Sequence, residues 1–187
     1  SKDLVTIKIK YLENNTNKYL LFCSAYMPYD SYDSLPSKEI NDAINFAKNE
    51  HIPIILGCDA NAHHTIWGST DINPRGEILL EYIYGIHLDI KNVGDTPTFV
   101  TTNREEVLDI TLCSMDITNK ISNWHVSNED SLSDHQMILY DFKCDRLDPI
   151  TFRNPRDTDL DLFESYVSGL IYRWRQVPRI RAHRREG

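Results

Sequence analysis

Four places in this sequence put a chemistry-bearing residue where an apolar run gives way to a loop. The first is the run from Ile54 to Cys58, followed by Asp59, Ala60 and Asn61. Side chains two apart on an extended chain share a face, so Asp59 and Asn61 can present a carboxylate and an amide together. A carboxylate can hold a divalent cation or orient a water, and an amide can donate to a phosphate oxygen. The same pair also suits an Asx-type turn after a strand. The second place is Asp109, inside the apolar run Val107 to Cys113, where a buried carboxylate needs a partner. The third is Ser133-Asp134-His135, directly before a strand-like segment. A histidine held by a buried aspartate has a fixed tautomer and raised basicity, which makes Asp109 and His135 candidate partners. Tyr26, at the end of its own apolar run, is the fourth. Taken one at a time, these are more simply a structural aspartate, a turn and a loop histidine. Their recurrence at strand ends favours a shared site.

His63 and His64 invite a metal reading, but neighbours on an extended chain point opposite ways, so they are not expected to be joint ligands. Trp67 reads as a packing residue.

The elements that must position these groups follow from hydrophobic patterning. Residues 4–11 alternate apolar and polar, a strand with one wet face, and residues 19–26 form a more buried strand across the turn at Glu13 to Asn17. Pro28 ends it. Ser34, Pro36 and Ser37 offer helix-start chemistry, and Ile40, Ala43, Ile44 and Ala47 then repeat at helical spacing. The strand at Ile54 follows. Asn73-Pro74 predicts a second helix with Ile78, Leu79, Tyr82 and Ile83 as its stripe and Gly85 as its stop. Short strands are predicted at 88–90, 98–101, 107–113, 121–126 and 137–142. A last helix is predicted over 159–171, with Leu160, Phe163, Val167 and Leu170 on one face. Strands mixed with helices, several of them antiparallel, predict an α+β or layered α/β sandwich.

With 187 residues, 41% hydrophobic and 26% charged, the chain has enough apolar material for one domain with a real core. It holds no apolar run long enough to cross a bilayer, and its first residues do not resemble a signal peptide. Cys23, Cys58 and Cys113 sit in apolar surroundings and are expected to be buried free thiols. With Cys144 they form no Cys-x-x-Cys pair, against a zinc cluster. The net charge of −8 argues against a general nucleic-acid binder. It is uneven: residues 1–150 carry −11, and the Arg-rich residues 151–187 carry +3. An acidic body can still act on DNA if a bound cation neutralises its site.

Four segments together carry a resemblance: Ser24-Ala25-Tyr26-Met27-Pro28, Gly57-Cys58-Asp59-Ala60-Asn61, Leu108-Asp109-Ile110-Thr111-Leu112-Cys113-Ser114 and Ser133-Asp134-His135. In this order they resemble motifs of the endonuclease/exonuclease/phosphatase superfamily, the fold of deoxyribonuclease I and the apurinic/apyrimidinic endonucleases. The run from Asp59 to Ser69 is more similar still to the endonuclease domain of insect non-LTR retrotransposons of the jockey and related clades, encoded with a reverse transcriptase. The resemblance spans about residues 4–142 and implies a four-layer α/β sandwich. It implies Mg²⁺- or Mn²⁺-dependent phosphodiester hydrolysis on DNA, with no membrane partner. By the same resemblance Asp59 orients the attacking water and binds metal with Asp134. Asn61 and Tyr26 bind the scissile phosphate, and His135, held by Asp109, stabilises its charge. The protein would be intracellular, and nuclear if the parent element is active.

The family's domain normally begins with an Asn motif and a Glu that is the principal metal ligand, and this sequence starts after both. Glu13, Glu39 and Glu50 stand in the wrong contexts to replace that Glu. The expectation is therefore a partial domain over 1–145, a linker and C-terminal helix over 146–172 and a disordered Arg-rich tail over 173–187. Poor nicking is expected of such a chain, with an upstream segment completing the fold. An apolar face would be left open at Leu20 to Phe22 and Ile54 to Leu56 or their neighbours. The alternatives are a non-catalytic remnant, or a phosphomonoesterase or phospholipase of the same fold.

Overall fold

A computed structural model describes residues 3–29 and 35–147. In chain order the elements are β1 (Leu4–Glu13), β2 (Thr16–Tyr26), α1 (Lys38–Asn49), β3 (Ile54–Asp59), α2 (Pro74–Gly85), β4 (Leu88–Ile90), β5 (Phe99–Thr101), β6 (Arg104–Glu106), β7 (Asp109–Ser114), β8 (Ile121–Val126), β9 (Ile138–Phe142) and β10 (Arg146–Leu147). The helix expected over 159–171 and the Arg-rich tail lie outside the described residues.

Six strands form one sheet in the order β10-β1-β2-β3-β7-β4. β1 and β2 pair as an antiparallel hairpin, β2 and β3 run parallel, and β3 and β7 are antiparallel. The parallel step is made through α1, as a parallel pair requires. β5 pairs with β6, and β8 with β9, each as a two-stranded sheet. Strand period two sends alternate residues to opposite faces, and two cores result. On one face Leu21, Cys23, Leu56, Cys58, Ile110 and Leu112 pack with Ile40 and Ile44 of α1 and Leu79 and Ile83 of α2. On the other face Leu20, Ile55 and Cys113 pack with Tyr11, Ile117 and Ile121, flanked by Tyr140 and Phe142. The helices therefore cover one face of the sheet and the β8–β9 pair part of the other. This is the mixed α/β fold of the deoxyribonuclease I-like type.

Helix starts are fixed by side-chain caps. Ser37 accepts from the Ile40 amide, and Asn73 accepts from the Gly76 amide at 2.8 Å, ahead of Pro74 at the first helical position. Two details depart from the sequence reading of α2. Ile78 is exposed, and the buried stripe is Gly76, Leu79 and Ile83. Gly85 is still helical, and the chain reverses at His87, which takes φ +60°. Gly76 is buried for a separate reason: a Cβ there would meet the His63 carbonyl oxygen at 1.9 Å. The start of α2 thus lies against the loop that follows β3.

Of the strand centres named above, Leu20, Leu21, Ile54, Ile55 and Leu56 are buried and Phe22 is half-buried. On the neighbouring strand β1, Val5 and Ile7 are exposed, and they register with Ser24 and Phe22 of β2. An antiparallel strand β6 and a 3-10 turn at Thr65–Trp67 were not expected from patterning.

Candidate active site

Strand register places three of the candidate residues side by side. Tyr26 is the Cα partner of Asp59, and Asp59 is the Cα partner of Asp109. They stand in a row across the adjacent ends of β2, β3 and β7, and residues directly opposite share a face. His135 joins this row. Its Nδ1 lies 2.9 Å from Asp109 Oδ2, and its Nε2 lies 3.7 Å from Asp59 Oδ2. An ionised carboxylate only accepts, so Nδ1 carries the donated proton and Nε2 is the nitrogen turned toward Asp59. A cavity of about 330 Å³ opens beside these groups, lined in part by Phe22, Gly57, Asp59, Asp109, His135 and Tyr140.

The β5–β6 hairpin holds His135 from behind. Phe99 bridges to His135 through the backbone, and its ring meets the imidazole edge-on at 5.0 Å between centroids. The Val100 amide donates to the Asp134 carbonyl, and the Gln136 amide to the Thr98 carbonyl. Thr98, fully buried, accepts at Oγ1 from the amides of Leu108 and Asp109. Asn92 donates to the Asp109 carbonyl and accepts from the Thr111 amide. The Asp109 backbone is thus bonded from two sides, which fixes the carboxylate that orients His135.

Burial pushes the Asp59 carboxyl above the ordinary range, and the neighbouring Asp109 adds to the rise, against the opposing pull of His135 and Asn61. Such a carboxylate is a better proton acceptor than a solvated one. Asn61 follows in the left-handed region at φ +46°, a conformation an asparagine tolerates. Its amide N–H donates to Asp59 Oδ1, and its side-chain Nδ2 donates to the Met27 carbonyl at 3.2 Å. Asp134 is exposed beside His135, and among the described residues its side chain makes no hydrogen bond or ion pair. Asp59 and Asp109 are neighbours across the sheet, and Asp134 adjoins their histidine in the chain. Carboxylate oxygens are the donors a hard divalent cation takes, but among the described residues these three do not converge within ligand distance of one another, as His63, Asp71 and Glu106 do.

His63 and His64 go separate ways. His64 caps the 3-10 turn through its ring nitrogen and lies against Trp67, which is fully buried and donates to the Ala62 carbonyl. His63 meets Asp71 through Nδ1 and lies 3.7 Å from Glu106, while Arg104 donates to its Nε2 at 2.9 Å. A guanidinium can only donate, so Nε2 accepts and Nδ1 bears the proton. Neither nitrogen has a lone pair to spare, so His63 links Asp71 of the β3–α2 loop to Arg104 of β6, with Glu106 alongside.

Sequence patterning passed over Arg75, Thr98 and Asn92. Arg75 did leave a signal. It is a cation in the first turn of α2, where the helix dipole disfavours it. Thr98 and Asn92 act on backbone groups 10 to 25 residues away, and no local period marks such bonds.

The sequence profile of the endonuclease-reverse transcriptase family matches residues 20–139, a span that holds Tyr26, Asp59, Asn61, Asp109, Asp134 and His135. No curated protein matches the chain. Among solved structures it is similar to the endonuclease domain of TRAS1, a telomere-specific non-LTR retrotransposon, at 26% identity and a TM-score of 0.63. That likeness covers 78% of this chain and 66% of the TRAS1 domain, so the chain spans just under two thirds of its relative. The catalytic domain of Xenopus laevis APE2 matches at 14% identity and a TM-score of 0.48, over 76% of this chain and 58% of that one. On the profile match alone, which covers well over half its length, the chain belongs to the endonuclease-reverse transcriptase family.

Proposed function

We propose that this chain hydrolyses phosphodiester bonds in DNA as the endonuclease of a retrotransposon-type polyprotein, with Mg²⁺ or Mn²⁺ held by Asp59 and Asp134. The observation that supports this most is the contact of Asp109, His135 and Asp59 at one strand-end cleft, with His135 Nδ1 at 2.9 Å from Asp109. In this reading Asp59 orients or activates the attacking water. His135, its ring fixed by Asp109, faces the phosphate with Nε2 and stabilises the charge that develops there when that nitrogen also carries a proton to donate. Asn61 and Tyr26 bind phosphate oxygens from the ends of β3 and β2. The cation supplies charge stabilisation at the phosphate.

A hard cation wants a near-octahedral set of oxygens, and two carboxylates are a sparse set. Nicking by this chain is therefore slow. The rival reading is a phosphomonoesterase or phospholipase of the same fold. A side-by-side assay separates them: plasmid DNA against p-nitrophenyl phosphate, an inositol phosphate and sphingomyelin, each with Mg²⁺. Turnover of DNA alone supports the nuclease; turnover of a monoester or lipid with DNA untouched refutes it.

A further inference from the structure

We propose that Arg75 is a positioning residue for the cleft, setting the turn that presents Asn61 beside Asp59. This rests on reading the cleft as a phosphodiester site. Arg75 donates to three backbone carbonyls outside its own helix, two that follow one strand and one that follows its neighbour. Nη2 donates to the carbonyls of Met27 and Pro28, both at 3.1 Å, and Nε donates to the Ala60 carbonyl at 3.2 Å. Met27 and Pro28 follow β2, and Ala60 follows β3. One planar guanidinium therefore ties the exits of the two strands that carry Tyr26 and Asp59 to the start of α2.

The Met27 carbonyl is the shared point. It accepts from Arg75 and also from Asn61 Nδ2 at 3.2 Å, which uses both of its lone pairs. The Met27 amide in turn donates to the Asp59 carbonyl at 2.9 Å. Arg75 thus helps set where the Met27 carbonyl, and with it the Asn61 amide, points. The other groups that hold this left-handed asparagine belong to Asp59, which its backbone amide and its side chain both meet. Burial lowers the Arg75 pKa, while Asp59, Tyr29 and Tyr26 oppose that fall. The guanidinium thus lies partly desolvated among the groups of the cleft. Lysine is no substitute, because a single ammonium cannot span three carbonyls in the plane of a guanidinium.

The test compares the wild-type chain with Arg75→Lys and Arg75→Met. The Asn61 side-chain amide pair is followed by ¹H–¹⁵N NMR, assigned by its loss in Asn61→Asp. In both Arg75 variants that pair is expected to shift well beyond its linewidth. In plasmid nicking kcat is expected to fall about 10–100-fold while KM stays within about twofold, the signature of a misplaced group rather than lost binding. An Asn61 pair that stays put in Arg75→Met, or a raised KM with kcat unchanged, overturns the proposal. If Arg75→Met does not fold, Arg75→Lys keeps the stem and charge and gives the same two readings. Wild-type protein that nicks no DNA would refute the nuclease reading, and the Asn61 resonance would still decide the role of Arg75.

Discussion

At the residue scale the account turns on how two carboxylates are used. Asp109 holds His135 in one tautomer, so Asp109→Asn should leave the fold intact and lower the nicking rate about 100-fold or more, measured beside an unchanged melting curve. Glu106 is structural. Burial alone would raise its pKa, but hydrogen bonds from the Thr70 hydroxyl and from the Val107 and Thr70 amides outweigh burial and bring it below the ordinary carboxylate value. A carboxylate depressed on folding contributes stability above its unfolded pKa, near 4.5, and loses it as pH falls through the lower folded value. Melting of the wild type should therefore weaken as the pH drops below about 4.5, and Glu106→Gln should flatten that dependence. An acid limb as steep in Glu106→Gln as in wild type would contradict this assignment.

At the element scale the cleft depends on the loop between β3 and α2. Asn73 serves two amides at once, capping α2 through Gly76 at 2.8 Å and accepting from His63 at 3.2 Å. Asn73→Ala should cost about 1–2 kcal/mol in chemical denaturation, the range of a lost N-cap. A loss near zero would mean that water replaces the cap. This element also shows what the sequence makes legible. Asn73-Pro74 announces the helix, because cap and first-turn chemistry are local. The chemistry-bearing positions Tyr26, Asp59, Asp109 and His135 are likewise visible as polar residues at the ends of apolar runs. Arg75, Thr98 and Asn92 are not visible as a set, because each bonds backbone that only tertiary folding brings near. Ile78 misled for the converse reason: helical spacing names a stripe, but only packing decides which of two neighbouring apolar residues is buried. The strand Arg104–Glu106 carries almost no β signal, and its pairing with β5 and the bond from Thr70 to Glu106 make it a strand.

At the scale of the whole molecule, one sheet separates two environments. Its helix-covered face is a closed core, with Cys23, Cys58, Leu56 and Ile110 almost free of solvent. Burial accordingly pushes the Cys58 thiol up, and Cys113, in the second core, is raised to about 11. The other face carries the cleft, the 330 Å³ cavity and the exposed Val5 and Ile7 of β1. No described helix is long and apolar enough to cross a membrane. The proposed chemistry sits on this second face of the sheet, at the ends of β2, β3 and β7. The most direct test of it is nicking of supercoiled plasmid by wild type, His135→Ala and Asp59→Asn, with Mg²⁺ or Mn²⁺ and with chelator. The account predicts slow nicking by the wild type that requires the cation and disappears in both variants. Equal nicking by His135→Ala, nicking that persists in chelator, or no nicking by the wild type even at high Mn²⁺ would contradict it.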